Sequence, residues 1–175
     1  VLIKGGAYVE APGRTTALAM DKTGTITEGE PEVASVHPLG GTTEGELLEV
    51  AAALEARSSH PLARAILARA QIAGIFGDRS VWLGSDRFAA EKGIDGSLPE
   101  SLRERIEGAG STLVAVGDGT KLLGVLELRD RIRADARGIV ARLHAQGVKS
   151  IIMLTGDNER TARAVASEVG IDEVR

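Results

Sequence analysis

The sequence contains no cysteine, and only 2% of its 175 residues are aromatic. Without cysteine the chain can form neither a disulfide bond nor a thiolate metal site. Large rings are scarce, but 43% of the residues are hydrophobic, so the core must be built mainly from Ala, Val, Leu and Ile. The length allows one domain or two small ones.

Long apolar runs and an excess of positive charge are also missing. No run approaches the roughly 18 apolar residues that a membrane-spanning helix needs, and the first residues do not resemble a signal sequence. We therefore expect this segment to be soluble. The net charge of −4 provides no basic surface for a phosphate backbone, so nucleic acid is not an expected partner.

The most informative feature is an aspartate that directly follows a short apolar run. Ala17–Met20 predicts a strand, and residues 21–25 read DKTGT. A carboxylate such as that of Asp21 can attack the terminal phosphate of a nucleotide and hold it as an aspartyl-phosphate. Lys22 can offset charge on the phosphoryl oxygens, and Mg2+ can bridge carboxylate and phosphate. Gly24 lets backbone N–H groups approach the phosphate closely.

Thr23 stands two residues after the aspartate, where a second carboxylate could act as a general acid and base. Threonine cannot take that role at neutral pH, so a phosphorylated aspartate should persist until another group triggers its hydrolysis. An isolated Asp-Lys pair could instead be a helix cap before a glycine turn. The full run DKTGTIT after an apolar strand favours the phosphoryl acceptor.

The last third of the chain alternates strand and helix patterns. The predicted elements are, in order, the strand Leu122–Leu128, the helix Ala134–Gln146, the strand Ser150–Leu154 and the helix Glu159–Val169. This order predicts a parallel sheet with right-handed crossovers. Ligands of such sheets bind outside the carboxyl ends of the strands. Because Asp21 and Asp157 both follow a predicted strand, we expect them to meet at one site.

The middle of the chain has a mixed pattern. Thr43 and Glu46 form a capping box before a helix, and Pro61 suits the first position of a helix over Leu62–Gln71. Further patterns predict a strand over Ser80–Leu83, a helix over Pro99–Glu107, and a hairpin of the strands Thr112–Val116 and Lys121–Leu128. These elements predict an α+β insert within the parallel-sheet domain. The predicted division of the chain is 1–33, 34–121 and 122–175.

Four stretches resemble, in this order, the motifs of P-type ATPases. Residues 21–27, DKTGTIT, with the following Glu28–Pro31 resemble the phosphorylation motif of that family. Ser59–Pro61 resembles the His-Pro signature of its heavy-metal-transporting subfamily. Asp130–Arg133 resembles the DxxR hinge segment, and Thr155–Asn158 resembles the TGD loop. The resemblance covers nearly the whole chain.

The resemblance implies a fold, two cofactors and a set of site residues. The fold would be α/β, with a haloacid-dehalogenase-like Rossmannoid parallel sheet as the phosphorylation domain. An α+β nucleotide-binding domain of antiparallel strands and helices would be inserted into it. The cofactors would be ATP and Mg2+. The implied catalytic residues are Asp21, Lys22, Thr23, Thr155, Gly156 and Asp157, of which Asp21 and the backbone oxygen of Thr23 would hold Mg2+. The implied nucleotide pocket contains Glu55, His60, Gly74, Gly77 and Gly84.

The sequence departs from the family pattern at two places. Ile72 stands where the family has the first glycine of its glycine loop, and the stretch before that loop is shorter than usual. The chain stops at Arg175, before a second Asp-rich loop that supplies a Mg2+ ligand in the family. We therefore expect an incomplete Mg2+ site in this segment, which should bind nucleotide but turn over slowly or not at all.

The implied partners are the transmembrane and actuator domains of the same polypeptide, with this segment at the cytoplasmic face of a membrane. The transported metal would not touch it, and zinc, cobalt, cadmium and copper all remain open. Two other functions also remain open. One is a haloacid-dehalogenase-like phosphatase or phosphomutase, and the other is a regulatory nucleotide-binding module that never forms a phosphoenzyme.

Overall fold

The computed structural model describes residues 11–55, 63–66, 80–91, 93–94 and 98–175. A 3-10 turn, Ala11–Arg14, precedes the first strand, and residues 63–66 are helical. The strands in these ranges are β1 (Ala17–Asp21), β2 (Thr27–Pro38), β3 (Val81–Gly84), β4 (Thr112–Asp118), β5 (Lys121–Ile132), β6 (Ser150–Leu154) and β7 (Glu173–Val174). The helices are α1 (Glu44–Glu55), α2 (Asp86–Glu91), α3 (Glu100–Gly108), α4 (Ala136–Ala145) and α5 (Glu159–Val169).

The first sheet is parallel, with the strand order β1-β6-β7. Side chains alternate between the two faces of a strand, and here one face carries the apolar residues that pack on α4 and α5. These core residues include Leu18 and Met20 of β1, Ile151 and Met153 of β6, and Val140, Ala162 and Val165 of the helices. The predicted parallel sheet is confirmed.

The second sheet is antiparallel, with the strand order β2-β5-β4-β3. Its two faces are both covered, because neighbouring residues of β4 enter different cores. Val114 packs in a cluster with Leu47 of α1, while Ala115 packs in a cluster with Ile106 of α3 and Trp82 of β3. The predicted insert of antiparallel strands and helices is confirmed.

Several local predictions are confirmed by the structure. In the capping box of α1, the Thr43 N–H donates to Glu46 Oε2 over 2.8 Å, and the Glu46 N–H donates to Thr43 Oγ1 over 3.2 Å. β6 and α5 have the predicted bounds, α3 and α4 lie where helices were expected, and β4 and β5 form the predicted hairpin. Of the helix predicted over 62–71, only residues 63–66 are described, and these are helical.

One expectation about the strands was wrong, and one strand was not predicted. β5 does not join the parallel sheet, because it pairs antiparallel with β2 on one side and β4 on the other. β2 was not expected at all. β2 contains two prolines and two register shifts, between Thr27 and Pro31 and between Val33 and Ser35. Its sequence therefore lacks the regular alternation of apolar and polar residues that predicts a strand. β2 passes residue 33 as one strand, and the domain division near residues 33 and 121 stays a prediction.

Candidate active site

Asp21 is the last residue of β1, at the carboxyl edge of the parallel sheet. Leu18 and Met20 face the core, and the Asp21 side chain is exposed. Parallel pairing places Asp21 opposite Leu154, the last residue of β6. The segment Thr155–Asp157 therefore begins directly after Leu154, the residue that is paired with Asp21. The sheet thus brings together two motifs that lie far apart in sequence.

Lys22 makes the direct link between these motifs. Its ammonium group forms an ion pair with Asp157 Oδ2, and the two side chains are only 8% and 22% exposed. The Asp157 N–H donates to Thr155 Oγ1 over 3.1 Å, which fixes the turn on which the carboxylate stands, while Gly156 is exposed. A buried cation next to an exposed strand-end carboxylate can stabilise an anion that approaches from solvent.

The chain makes a tight turn over Lys22–Ile26. Within it Thr23 has an extended backbone, and Gly24 has φ +79°, a conformation that favours glycine. The Thr27 N–H returns to the Lys22 carbonyl and closes the turn. Gly29 also has positive φ, and a Cβ there would lie 3.2 Å from Gly24 Cα. The two glycines therefore allow the backbone to pack closely just behind the aspartate.

Asp130 of β5 holds this turn in place. Its Oδ2 accepts a hydrogen bond from Thr27 Oγ1 at 2.5 Å, and its Oδ1 accepts from the N–H groups of Gly29 at 3.0 Å and Glu30 at 3.2 Å. These N–H groups lie in the register shift of β2, between Thr27 and Pro31. Bulged residues lose ladder partners, and the Asp130 carboxylate replaces them.

Arg133 adds a second connection from the same segment. Its Nη2 donates to the Gly24 carbonyl over 3.2 Å, and its N–H donates to the Ile26 carbonyl over 3.0 Å. Sequence reasoning recognised 130–133 as a hinge but did not include Thr27, Asp130 or Arg133 among the site residues. The sequence offered one signal for Thr27: a threonine close to a glycine turn often forms a hydrogen bond with the nearby backbone. Its side-chain partner, Asp130, lies 103 residues further along the chain, and residue spacing could not identify it.

Two of the residues predicted for a nucleotide pocket, Glu55 and Gly84, lie at the ends of elements in the second sheet's layer. Glu55 ends α1 and Gly84 ends β3, and their neighbours Leu54 and Leu83 pack against the same core cluster. A Cβ at Gly84 would lie 2.6 Å from the Phe88 ring, so packing alone requires glycine there. The predicted residues His60, Gly74 and Gly77 lie outside the described residues.

These observations define a class of protein: an α/β fold with an exposed aspartate at the end of its first parallel strand. Residues 15–175 match the model of the haloacid dehalogenase-like hydrolase family, and the chain belongs to that family. Within the described ranges, no helix is both long enough and apolar enough to cross a membrane.

More particular relatives are metal transporters. The chain is 43% identical over 185 residues to a zinc/cadmium/lead-transporting P-type ATPase of Escherichia coli (strain K12), an alignment that covers 98% of this chain and 25% of that protein. It is 39% identical over 194 residues to a copper-transporting P-type ATPase of Rhizobium leguminosarum bv. viciae, covering 100% of this chain and 23% of that protein. The chain thus spans about a quarter of the length of the curated relatives it matches.

A solved structure agrees with these relatives. The crystal structure of a zinc-transporting PIB-type ATPase in the E2.Pi state is 38% identical, with a TM-score of 0.69, covering 98% of this chain and 31% of that one. The resemblance to heavy-metal P-type ATPases, drawn first from the motifs, is confirmed.

Proposed function

We propose that this chain is the phosphorylation and nucleotide-binding region of an ATP-driven transition-metal transporter of the P-type class. In this proposal Asp21 accepts the terminal phosphate of ATP. The observation that carries the proposal is the meeting of three groups at one sheet edge: the exposed Asp21 carboxylate, the buried Lys22 ammonium and the Asp157 carboxylate paired with it. Such a site can attack a phosphoryl group and offset its charge.

In the proposed step, a carboxylate oxygen of Asp21 attacks the terminal phosphorus of ATP. The bond from that phosphorus to the bridging oxygen breaks, and ADP leaves with the bonding electrons. An ammonium has three N–H donors, so Lys22 can hold Asp157 and a phosphoryl oxygen together. We assign Thr155, Gly156 and Asp157 to positioning the phosphoryl group.

The donor atoms at this edge suit Mg2+ that arrives with the nucleotide. Mg2+ is usually bound through one or two carboxylates together with substrate phosphates and water. Among the residues that the structure describes, no three His, Asp or Glu side chains are grouped to hold a metal by themselves. The Asp21 carboxylate and the Thr23 backbone oxygen would hold the ion, which when bound would neutralise charge on the phosphate.

The proposal divides the work between two parts of the chain. Residues 34–121 would bind ATP, with Glu55 and His60 near the adenine and Gly74, Gly77 and Gly84 lining the pocket. Residues 1–33 and 122–175 would carry the phosphorylated aspartate. Phosphorylation changes charge and contacts between mobile parts, which can bias the membrane helices of the same polypeptide. The segment would lie at the cytoplasmic face, and the transported metal would not touch it.

Phosphoenzyme labelling tests this proposal in the whole transporter that contains the chain. ATP carrying radioactive terminal phosphate should give an acid-stable, hydroxylamine-labile label, and Asp21→Asn should abolish it. Asp135→Asn is the matched control, because Asp135 is exposed and makes no side-chain cap hydrogen bond. Label that survives Asp21→Asn would contradict the proposal. Hydrolysis of a small phosphate ester by this chain would favour the phosphatase alternative.

Nucleotide affinity tests the division of labour separately. ATP should bind less tightly to His60→Gln, whereas Asp21→Asn should leave the affinity nearly intact. The single tryptophan, Trp82, lies two residues before Gly84 and is a natural fluorescence probe for such titrations. Equal loss of affinity in both variants would count against two separate sites.

A further inference from the structure

Helix α5, which begins just after the Thr155–Asp157 loop, is held by residues from the end of α3 and from the α3–β4 connection. Asn158 caps the helix, since its Oδ1 accepts from the Thr161 N–H at 2.9 Å. The same side chain donates through Nδ2 to Glu107 Oε1 at 3.1 Å. Thr161 Oγ1 donates to the Ser111 carbonyl at 2.9 Å. We call Glu107, Gly110 and Ser111 the socket of α5.

The socket is closely packed. Glu107 is 8% exposed, Ser111 is 0% and Thr161 is 1%. Gly110 has φ +72°, and a Cβ there would lie 3.2 Å from Val165 Cγ2 of α5. Because buried polar groups are costly without partners, these hydrogen bonds specify one position of α5 against the end of α3 and the α3–β4 connection.

The ion pairs that Arg160 of α5 makes with α3 are weaker. Arg160 lies 3.4 Å from Glu100, 3.7 Å from Glu104 and 3.7 Å from Glu107, but it is half exposed, and exposed ion pairs contribute little. A cleft of about 320 Å³ also separates part of α5 from β5; its lining includes Arg131, Ile132, Val165 and Glu168. The hydrogen bonds of the socket, buried between Thr161 and Ser111 and part-buried between Asn158 and Glu107, are therefore a more specific connection between α5 and the second sheet's layer.

We propose that the socket positions the phosphorylation site, with Glu107 as a positioning residue that acts through Asn158. Asp157 pairs with Lys22 and its neighbour Asn158 pairs with Glu107, so one peptide bond separates the two anchors. A shift of α3 relative to the parallel sheet must then move the Thr155–Asp157 loop. The inference rests on the proposed function, because that function gives the loop its role. The inference adds a second role for the second sheet's layer: it positions the Thr155–Asp157 loop by direct contact, in addition to delivering the nucleotide.

The test exchanges donor and acceptor across the contact. Asn158→Asp keeps the helix cap, since Asp caps as well as Asn, but it removes the donor and sets a carboxylate against Glu107. Adding Glu107→Gln restores a donor–acceptor pair in the opposite sense. Adding Glu104→Gln to Asn158→Asp is the matched control, because Glu104 lies on the same helix and contacts Arg160. Amide hydrogen exchange of residues 157–162 is measured by NMR, with Trp82 emission as a check of folding.

We expect Asn158→Asp to speed exchange of these amides about tenfold or more. Glu107→Gln should reverse most of that change, and Glu104→Gln should not. In the whole transporter, Asn158→Asp should lower the rate of phosphoenzyme formation, and adding Glu107→Gln should restore most of it. The ATP affinity of each variant should stay within about twofold of wild type. If Asn158→Asp itself unfolds the chain, selective rescue of folding by Glu107→Gln still supports the contact.

Three results would overturn the inference: no change in Asn158→Asp, equal rescue by both glutamine variants, or altered exchange with an unaltered rate of phosphoenzyme formation. A wild-type transporter that forms no phosphoenzyme, but shows the expected exchange pattern, would instead overturn the proposed function. The positioning of the loop by Glu107 would then remain supported.

Discussion

The hydrogen bond between Thr27 and Asp130 provides the sharpest test of how the turn over Lys22–Ile26 is held. The Thr27 hydroxyl lies 2.5 Å from Asp130 Oδ2, and Thr27 is only 1% exposed. Hydrogen bonds to charged groups contribute roughly 1.5–3 kcal/mol each. Thr27→Val keeps the shape and removes the donor, so we expect the free energy of unfolding to fall by about 2 kcal/mol.

Asp130→Asn gives the second corner of a double-mutant cycle. An amide can keep one oxygen towards the N–H groups of Gly29 and Glu30, but the charge is lost, so a similar fall of about 2 kcal/mol is expected. Because the two side chains are in contact, the double variant should lose less free energy of unfolding than the two single variants lose together. The expected coupling is about 1–2 kcal/mol.

Urea unfolding, followed by circular dichroism and by Trp82 emission, measures all four free energies if the two probes agree. Thr25→Val is the matched control, because Thr25 lies in the same turn and is exposed; it should change stability by less than about 0.5 kcal/mol. Strict additivity of Thr27→Val and Asp130→Asn would refute the reasoning, since independent sites show no coupling.

Three further substitutions test the site by urea unfolding. Lys22→Met leaves Asp157 without its ion-pair partner and should cost about 1–3 kcal/mol, against little for the exposed Lys149→Met. Gly29→Ala should cost about 1–2 kcal/mol through its positive φ, whereas Gly45→Ala, in helix α1, should stabilise by about 0.5–1 kcal/mol. Gly84→Ala should cost about 1–3 kcal/mol because its Cβ meets the Phe88 ring.

Each of these predictions has an outcome that contradicts it. Equal effects of Lys22→Met and Lys149→Met would mean that the ion pair with Asp157 contributes nothing to folding. A neutral Gly29→Ala would show that the turn adopts another backbone. An unchanged stability in Gly84→Ala, together with weaker ATP binding, would assign that glycine to the nucleotide rather than to packing.

Local patterns predicted much of the fold. Apolar alternation, capping residues and glycine stops located β6, α5 and the hairpin of β4 and β5, because these signals lie within each element. They could not identify the partners of a strand. β5 looked like the start of a β-α-β unit, but its neighbours β2 and β4 are both antiparallel. β2 is irregular, and the first of its two register shifts is stabilised by Asp130, which lies about a hundred residues further along the chain.

The same limit applies to the candidate site. The sequence predicted that Asp21 and Asp157 would meet, because both follow parallel strands, and the Lys22 ion pair agrees with this. It did not predict that Glu107 would contact Asn158. That contact depends on the packing of α3 against α5, which neither helix specifies alone.

The most direct measurement of the central claim locates the phosphate on the chain. The whole protein that contains this chain is incubated with ATP and Mg2+, quenched in acid and treated with borohydride, which reduces an aspartyl-phosphate to homoserine. Peptide mass spectrometry should find homoserine at position 21 and aspartate at positions 130 and 157. Homoserine at another aspartate, or intact aspartate at position 21 in a preparation that carries the radioactive label, would contradict the account.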